Sequence, residues 1–286
     1  LDRAAMVKEK MGAILGVAKG SAEEPKFIIM EYHGGPKNQP PIVLVGKGVT
    51  FDSGGINLKP SQAMSDMHMD MSGAAAVLCA TAAAAAQRLP INVIALVPAA
   101  ENMPSGSGYR PGDILASRSG ITIEVVDTDA EGRILLADAL DYAKQYKPQL
   151  VVDVATLTGA ATVALGLRTA ALFSNKQDVA DELFALGERS GDRVWQLPMH
   201  EEYEQEIKGT TGDIANVGKV RYGGAIHGAL FLKRFVGTMP WAHLDIAPTL
   251  TAAEGQFLAK GASGTSVRLL VRMLEERSGK VIRNKE

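Results

Sequence analysis

Apolar residues are spaced along the chain in two alternating registers. Short runs rich in β-branched residues, at Lys26 to Tyr32, Pro41 to Val45 and Ile91 to Val97, read as buried strands. Two more follow at Ile121 to Val126 and Leu150 to Ala155. Between them lie helical stretches: Gly73 to Arg88, Gly132 to Tyr146 with Leu136, Ala139, Leu140 and Ala143 on one face, and Val179 to Arg189. A helix near Ala225 to Val236, a strand near Trp241 to Ile246 and a final helix at Thr265 to Arg277 complete the pattern. Such alternation predicts one layered α/β domain with helices on both faces of a sheet. No internal repeat, low-complexity tract or linker interrupts it.

Near the N-terminus, Val7, Met11, Ile14, Leu15 and Ala18 share one helical face, so the segment is expected to form a single amphipathic helix rather than a signal peptide. The longest apolar stretch, Ala74 to Ala86, is mostly alanine and shorter than the roughly 20 residues a bilayer requires, so no transmembrane helix is expected. Lys plus Arg number 30 against 32 Asp plus Glu, giving a net charge of −2. That balance gives no electrostatic support for binding nucleic acid. The single cysteine, Cys79, forms no internal disulfide and no thiolate zinc site, which suits a reducing, cytoplasmic setting.

Glycine pairs fall between the elements, but none has the spacing of a P-loop or a dinucleotide fingerprint. The chemistry concentrates elsewhere. Val45-Gly-Lys-Gly-Val-Thr-Phe-Asp-Ser-Gly-Gly55 ends a buried strand and continues through Lys59 to Asp70, placing Lys47, Asp52, Lys59 and Asp70 where open α/β sheets bind ligands. A second junction, Asp127-Thr-Asp-Ala-Glu-Gly-Arg133, precedes a helix and carries three carboxylates, Asp127, Asp129 and Glu131, which repel one another unless a cation holds them. Five carboxylates in two loops suit hard or borderline divalent metals. Taken singly, each residue has a plainer reading. Asp127 or Asp129 could cap the following helix, Asp70 could cap the alanine-rich one, Asp52 could form a turn, and the lysines could lie on the surface. The coincidence of two such loops in an apolar neighbourhood weighs against these.

The histidines His33, His68, His200, His227 and His243 form no His-x-x-x-His pair, and no serine sits in a Gly-x-Ser-x-Gly elbow, so zincin and serine-hydrolase chemistry are not indicated. His243, in an apolar strand, reads as a satisfied core residue, and His227 as a helical packing residue. Met64, Met67, Met69 and Met71 cluster beside Asp70, with Met67 expected in a pocket wall.

These stretches, together with Asp70-Met-Ser-Gly-Ala-Ala-Ala76, Val154-Ala-Thr-Leu-Thr-Gly-Ala160 and Trp241-Ala-His-Leu-Asp-Ile-Ala247, resemble the catalytic domain of the leucyl aminopeptidase family over nearly all of the chain. The resemblance implies a three-layer αβα sandwich with a central mixed, mostly parallel sheet. It also implies a separate N-terminal domain preceding this region, consistent with a chain that begins at Leu1 without an initiator methionine. The implied activity is metal-dependent removal of N-terminal residues, leucine or other apolar ones, from peptides by a metal-bridging hydroxide. By resemblance Lys47, Asp52, Asp70 and Glu131 hold one divalent ion and Asp52, Asp129 and Glu131 the other. Zinc is the expected metal, with manganese, magnesium or cobalt as alternatives at one site. Lys59 and Arg133 match the catalytic lysine and arginine, the arginine positioning a bicarbonate. Met67, Thr156, Leu157, Gly159 and Ala247 match substrate-binding positions. The implied assembly is a cytoplasmic homohexamer, a dimer of trimers.

The chain departs from the family in three places. Asp127 stands where asparagine is usual, which adds a carboxylate beside the substrate pocket and implies altered selectivity or metal affinity with the reaction intact. His68 replaces a frequent lysine, and Pro248 a frequent glycine. Two rival readings remain, a dipeptidase for cysteinylglycine-like substrates and a regulatory or DNA-binding family member. The second would require loss of a ligand, of Lys59 or of Arg133, and none is lost.

Overall fold

A computed structural model describes residues 1–279. Its main sheet has eight strands: β1 (Lys26–His33), β2 (Ile42–Gly46), β3 (Gly48–Asp52), β4 (Asn92–Asn102), β7 (Leu150–Ala155), β8 (Ala170–Ser174), β9 (Val194–Gln196) and β11 (Trp241–Asp245). A smaller sheet joins β5 (Ile114–Ala116), β6 (Thr122–Glu124) and β10 (Ile214–Ala215). The main order is β1-β4-β2-β7-β11-β8-β9, with β3 pairing β4. Strands β4, β2, β7 and β11 are mutually parallel, whereas β1 pairs β4 and β8 pairs β11 antiparallel. This is the mixed, mostly parallel sheet expected.

Side-chain alternation divides the core into two layers. Val43 and Val45 of β2 face one layer with α2 (Gly12–Val17), α5 (Glu131–Ala143) and α8 (Gly224–Val236), while Ile42 and Leu44 face the other with α4 (Ser72–Ala86), α7 (Gln177–Ser190) and α9 (Val267–Arg277). Both faces of the central strands are buried, which is why their sequences read as continuous apolar runs. The segment Ser61–Ala86 is long and apolar enough to pass as a membrane span, but it breaks into α3 (Ser61–Met64), a 3₁₀ turn at Met67–Met69 and α4. Ala74, Ala76, Val77 and Ala80 of α4 lie buried against the sheet, so it is a core helix.

Three expectations are corrected. The N-terminal segment is two helices, α1 (Arg3–Lys8) and α2, broken at Lys10, whose φ is 59°. Asp2 caps α1 by accepting from Ala5 N, and Asp138 of α5 caps α2 by accepting from Ala13 N and Ile14 N, so each turn has its own acceptor. Val7 therefore faces solvent. Strand β1 is a partly exposed edge strand rather than a buried one. The run at Ile121 to Val126 contributes only β6, and to the smaller sheet. Strands β3, β5, β8, β9 and β10 and the helix α6 (Gly159–Leu165) lie outside the expected elements.

Candidate functional site

The C-terminal ends of the four parallel strands share one edge of the sheet, and the site is built there. Lys47 follows β2, Asp52 ends β3, Thr156 and Leu157 follow β7, and Ala247 lies just past β11. A cavity of about 400 Å³ is lined by Lys47, Asp52, Lys59, Met67, Asp70, Asp127, Asp129, Arg133, Thr156, Leu157, Gly159 and Ala247. All but one of the residues proposed above as metal-binding, catalytic or substrate-binding thus reach one cavity; the exception, Glu131, is buried and pairs with Lys47 behind it.

Lys47 Nζ lies 2.8 Å from Asp70 Oδ2 and 2.8 Å from Glu131 Oε1, and donates to the Thr156 carbonyl at 2.9 Å. Lys59 Nζ lies 2.9 Å from Asp52 Oδ2 and 2.5 Å from Asp129 Oδ1. One oxygen from each of Asp52, Asp70 and Glu131 falls within 4.8 Å of the others, and all three residues are buried. Burial opposes the charge on Lys47, but Asp70, Glu131 and Asp52 outweigh it and hold the ammonium well above the usual lysine range. Burial pushes the carboxyls of Asp70 and Glu131 up, with Lys47 pulling both back. The cluster as a whole therefore attracts positive charge, and protons and cations compete for it.

The donor set fits divalent cations. Asp70 Oδ2, Asp129 Oδ1 and Glu131 Oε1 are buried and accept no hydrogen bond of regular geometry, although a lysine ammonium stands at ion-pair distance from each. The remaining oxygens are held in place: Asp52 Oδ1 accepts from Gly54 N at 2.9 Å and Asn102 Nδ2 at 2.8 Å, and Asp70 Oδ1 accepts from Thr156 Oγ1 at 2.5 Å. Inward-facing oxygens, with the Asp52 and Asp70 carboxylates fixed by outer hydrogen bonds on their other oxygen, are what a metal site requires.

The capping alternatives do not hold. The N-cap residues of α4 and α5 are Met71 and Ala130, and neither helix has a side-chain cap. Lys47 and Lys59 are not surface lysines, since both are largely buried. His243 is a core residue as expected, and its Nδ1 meets Asp153 Oδ1 at 2.5 Å, but its Nε2 is buried without a hydrogen-bond partner among the described residues. His227 is buried in α8 with its Nε2 2.7 Å from Glu206 Oε2.

Arg133 is buried in the first turn of α5, with Nη1 donating to the Asn216 carbonyl at 2.8 Å and Nε lacking a partner among the described residues. Burial lowers its pKa to about 10, against the pull of Asp245, Glu131 and Asp127, so it stays charged at neutral pH. A buried guanidinium with a free edge beside a cavity has the charge and donors to receive a small anion.

Sequence reading missed the residues that hold these loops. Thr128 is buried and clamps the two acidic loops: its Oγ1 donates to the Gly54 carbonyl at 2.6 Å, and its own carbonyl accepts from Asn102 Nδ2 and from the Tyr109 hydroxyl. Asp245 accepts from Leu157 N, Thr158 N, Thr158 Oγ1 and Ala247 N, tying together the ends of β7 and β11. Asn216 joins the Asp127 loop to Arg133. A signal existed for Asp245, a carboxylate in an otherwise apolar strand; Asn102 and Asn216 offered none.

Residues 1–271 match the model of the cytosol aminopeptidase family, catalytic domain. Among curated relatives, a probable cytosol aminopeptidase of Syntrophotalea carbinolica is 52% identical over 277 residues, 96% of this chain and 56% of that protein. One of Azoarcus is 52% identical over 278 residues, 97% of this chain and 55% of the relative, and one of Geobacter sulfurreducens is 51% identical over 276, 96% and 55%. The chain spans little more than half the length of these relatives. With the acidic cluster, the two lysines and the arginine gathered at one sheet edge, and with this extent of similarity, the chain belongs to the cytosol aminopeptidase family.

Proposed function

We propose that this chain carries the catalytic machinery of a metal-dependent aminopeptidase that hydrolyses the N-terminal peptide bond of peptides, with leucine or another apolar residue preferred at the N-terminus. The observation that carries this reading is the buried Asp52, Asp70 and Glu131 triad, of which Asp52 and Asp70 open to the same cavity as Asp129, Lys59 and Arg133. Lys47, once its proton is displaced by the incoming cation to leave a neutral amine, would with Asp52, Asp70 and Glu131 hold one divalent ion, and Asp52, Asp129 and Glu131 would hold the other. Bound there, two divalent ions polarise a scissile carbonyl and bring the pKa of a water toward neutrality.

The chain's own groups do the rest. Burial opposes the charge on Lys59, yet Asp52 and Asp129 keep its ammonium above the usual lysine range, so it donates to the oxygen on which negative charge develops. Arg133 presents its free edge to a small anion such as bicarbonate, placed to pass a proton toward the leaving amine. Met67, Leu157, Ala247 and Leu250 give the cavity an apolar wall, which supports an apolar side chain at the N-terminal residue. Thr156 and Gly159 offer backbone groups to the substrate at the same wall. Cytoplasmic location follows the names of the relatives, and a homohexamer follows the family resemblance; sedimentation of the full-length protein checks the latter.

Hydrolysis of a leucine anilide by full-length protein tests the activity. Turnover is expected to vanish on chelation and return with Zn²⁺ or Mn²⁺. Absence of turnover under every metal would contradict the reading.

A further inference from the structure

Asn216 follows the two-residue strand β10 and is fully buried, yet nothing in the chemistry above uses it directly. Every polar atom of its side chain is engaged on the loop that carries Asp129. Its side-chain Oδ1 accepts from Val126 N at 2.7 Å and Asp127 N at 3.3 Å. Its Nδ2 donates to the Asp127 carbonyl at 2.6 Å and the Ala130 carbonyl at 3.3 Å. Its backbone N donates to the Glu124 carbonyl at 3.0 Å, and its backbone carbonyl accepts from Arg133 Nη1 at 2.8 Å. A carboxamide is needed for this, because the loop presents two donors to one end and two acceptors to the other.

We propose that Asn216 is a positioning residue, which sets Arg133 and the Val126 to Ala130 loop in one fixed relation so that the anion site and the Asp129 carboxylate face the same cavity. The proposal rests on the aminopeptidase reading for its kinetic consequence and on hydrogen bonding alone for its structural one. Arg133 Nη1 has no other hydrogen-bond partner among the described residues, and no carboxylate stands within ion-pair distance of the guanidinium there. Its aim therefore depends on where the Asn216 carbonyl sits, and that carbonyl is held by the side chain bonded to the loop together with the backbone bond to Glu124. Two members of the metal triad have partners outside this network, Asp52 in Asn102 and Asp70 in Thr156.

The test compares Asn216→Ala and Asn216→Asp with the unaltered full-length protein. Asp keeps the size but sets an oxygen against the Asp127 and Ala130 carbonyls. Three quantities are read: amide exchange over residues 124–131, the Zn²⁺ dissociation constant, and kcat and KM as bicarbonate is varied. For both variants we expect amide exchange at Val126 and Asp127 to rise at least tenfold while the central strands keep their protection. We expect kcat to fall about 10- to 100-fold with KM nearly unchanged, half-saturation by bicarbonate to rise, and the tighter Zn²⁺ constant to change less than threefold. Unaltered loop exchange together with an unaltered bicarbonate response would overturn the proposal. So would losses in exchange protection and zinc binding spread evenly over the molecule, since these mark general destabilisation. Because exchange is read without substrate, a protein that hydrolyses no peptide would refute the activity while leaving the positioning role open to the same decision.

Discussion

At the scale of single residues, the site depends on side chains whose partners lie far away in the chain. Thr156 Oγ1 donates to Asp70 Oδ1, so Thr156→Val removes the hydroxyl that orients a metal-facing carboxylate. Metal affinity is expected to drop about 10- to 100-fold with the fold retained; competition against a chromophoric chelator measures it. Gly132→Ala separates site from fold more sharply. A Cβ there would stand 2.6 Å from Lys47 Cε and 2.9 Å from Lys47 Nζ. Alanine is favoured over glycine in a helix by about 1 kcal/mol, which offsets part of the cost of displacing the buried Lys47. Lys47 must move, however, and a displacement of about 1 Å at a reacting centre costs on the order of 100-fold in rate. Equal activity in the alanine variant would show that Lys47 has no part in the site. The acidic residues were legible in the sequence because they crowd two short loops at strand ends. Asn102 and Asn216 were not, because an asparagine announces itself only through partners, and theirs lie on other loops. Thr128 lies inside the motif itself, yet nothing in the sequence marks it as the residue that clamps both loops.

At the scale of elements, local pattern placed most central strands and long helices closely: β7 and the expected Leu150 to Ala155 coincide, and α8 and α9 begin within two residues of expectation, but β4 runs five residues past the expected Val97, to Asn102. It failed where tertiary contacts decide. The N-terminal pattern continues through Lys10, yet Asp138, across the molecule in α5, supplies a second cap and the helix restarts. Short strands such as β9 and β10, with three and two residues, have too little sequence to show a period. The placement of α4 illustrates how elements aim the site. Its first turn passes so close to the strand ends that a Cβ on Gly73 would lie 2.1 Å from the Val154 carbonyl and 3.0 Å from Lys47 N. Both neighbours are backbone and cannot swing aside. Gly73→Ala is therefore expected to destabilise the protein by about 1–3 kcal/mol or more, read as a lower urea midpoint with unchanged slope. A midpoint equal to that of the parent would show that α4 has slack at this junction.

At the scale of the whole molecule, charges sit in the middle of an otherwise apolar sheet. Asp153 of β7 accepts from Trp241 Nε1 at 2.6 Å and meets His243 Nδ1, all within the buried core. Burial opposes the imidazolium, but Asp153 outweighs it and raises His243 above the ordinary value of 6.5. A histidine raised in the folded state contributes stability that is complete below about pH 6.5 and is lost as pH rises through the higher folded value. Thermal midpoints of the parent protein should accordingly fall with rising pH above 6.5 more steeply than those of His243→Gln; parallel profiles would mean that the pair carries no ionic contribution. The layered architecture was legible as a whole because both faces of the sheet are covered and its strands read as apolar runs. Asp153 and Asp245 stand inside those runs, where a carboxylate implies buried polar partners without naming them.

The central claim is that Lys47, Asp52, Asp70, Asp129 and Glu131 converge on two cations. Anomalous diffraction at the zinc edge, from crystals of the full-length protein grown with Zn²⁺, tests it most directly. Two peaks about 3.5–4 Å apart are predicted, both among these side chains, with Glu131→Gln losing at least one. Peaks elsewhere, or none, with the carboxylates still paired to Lys47 and Lys59, would contradict the account.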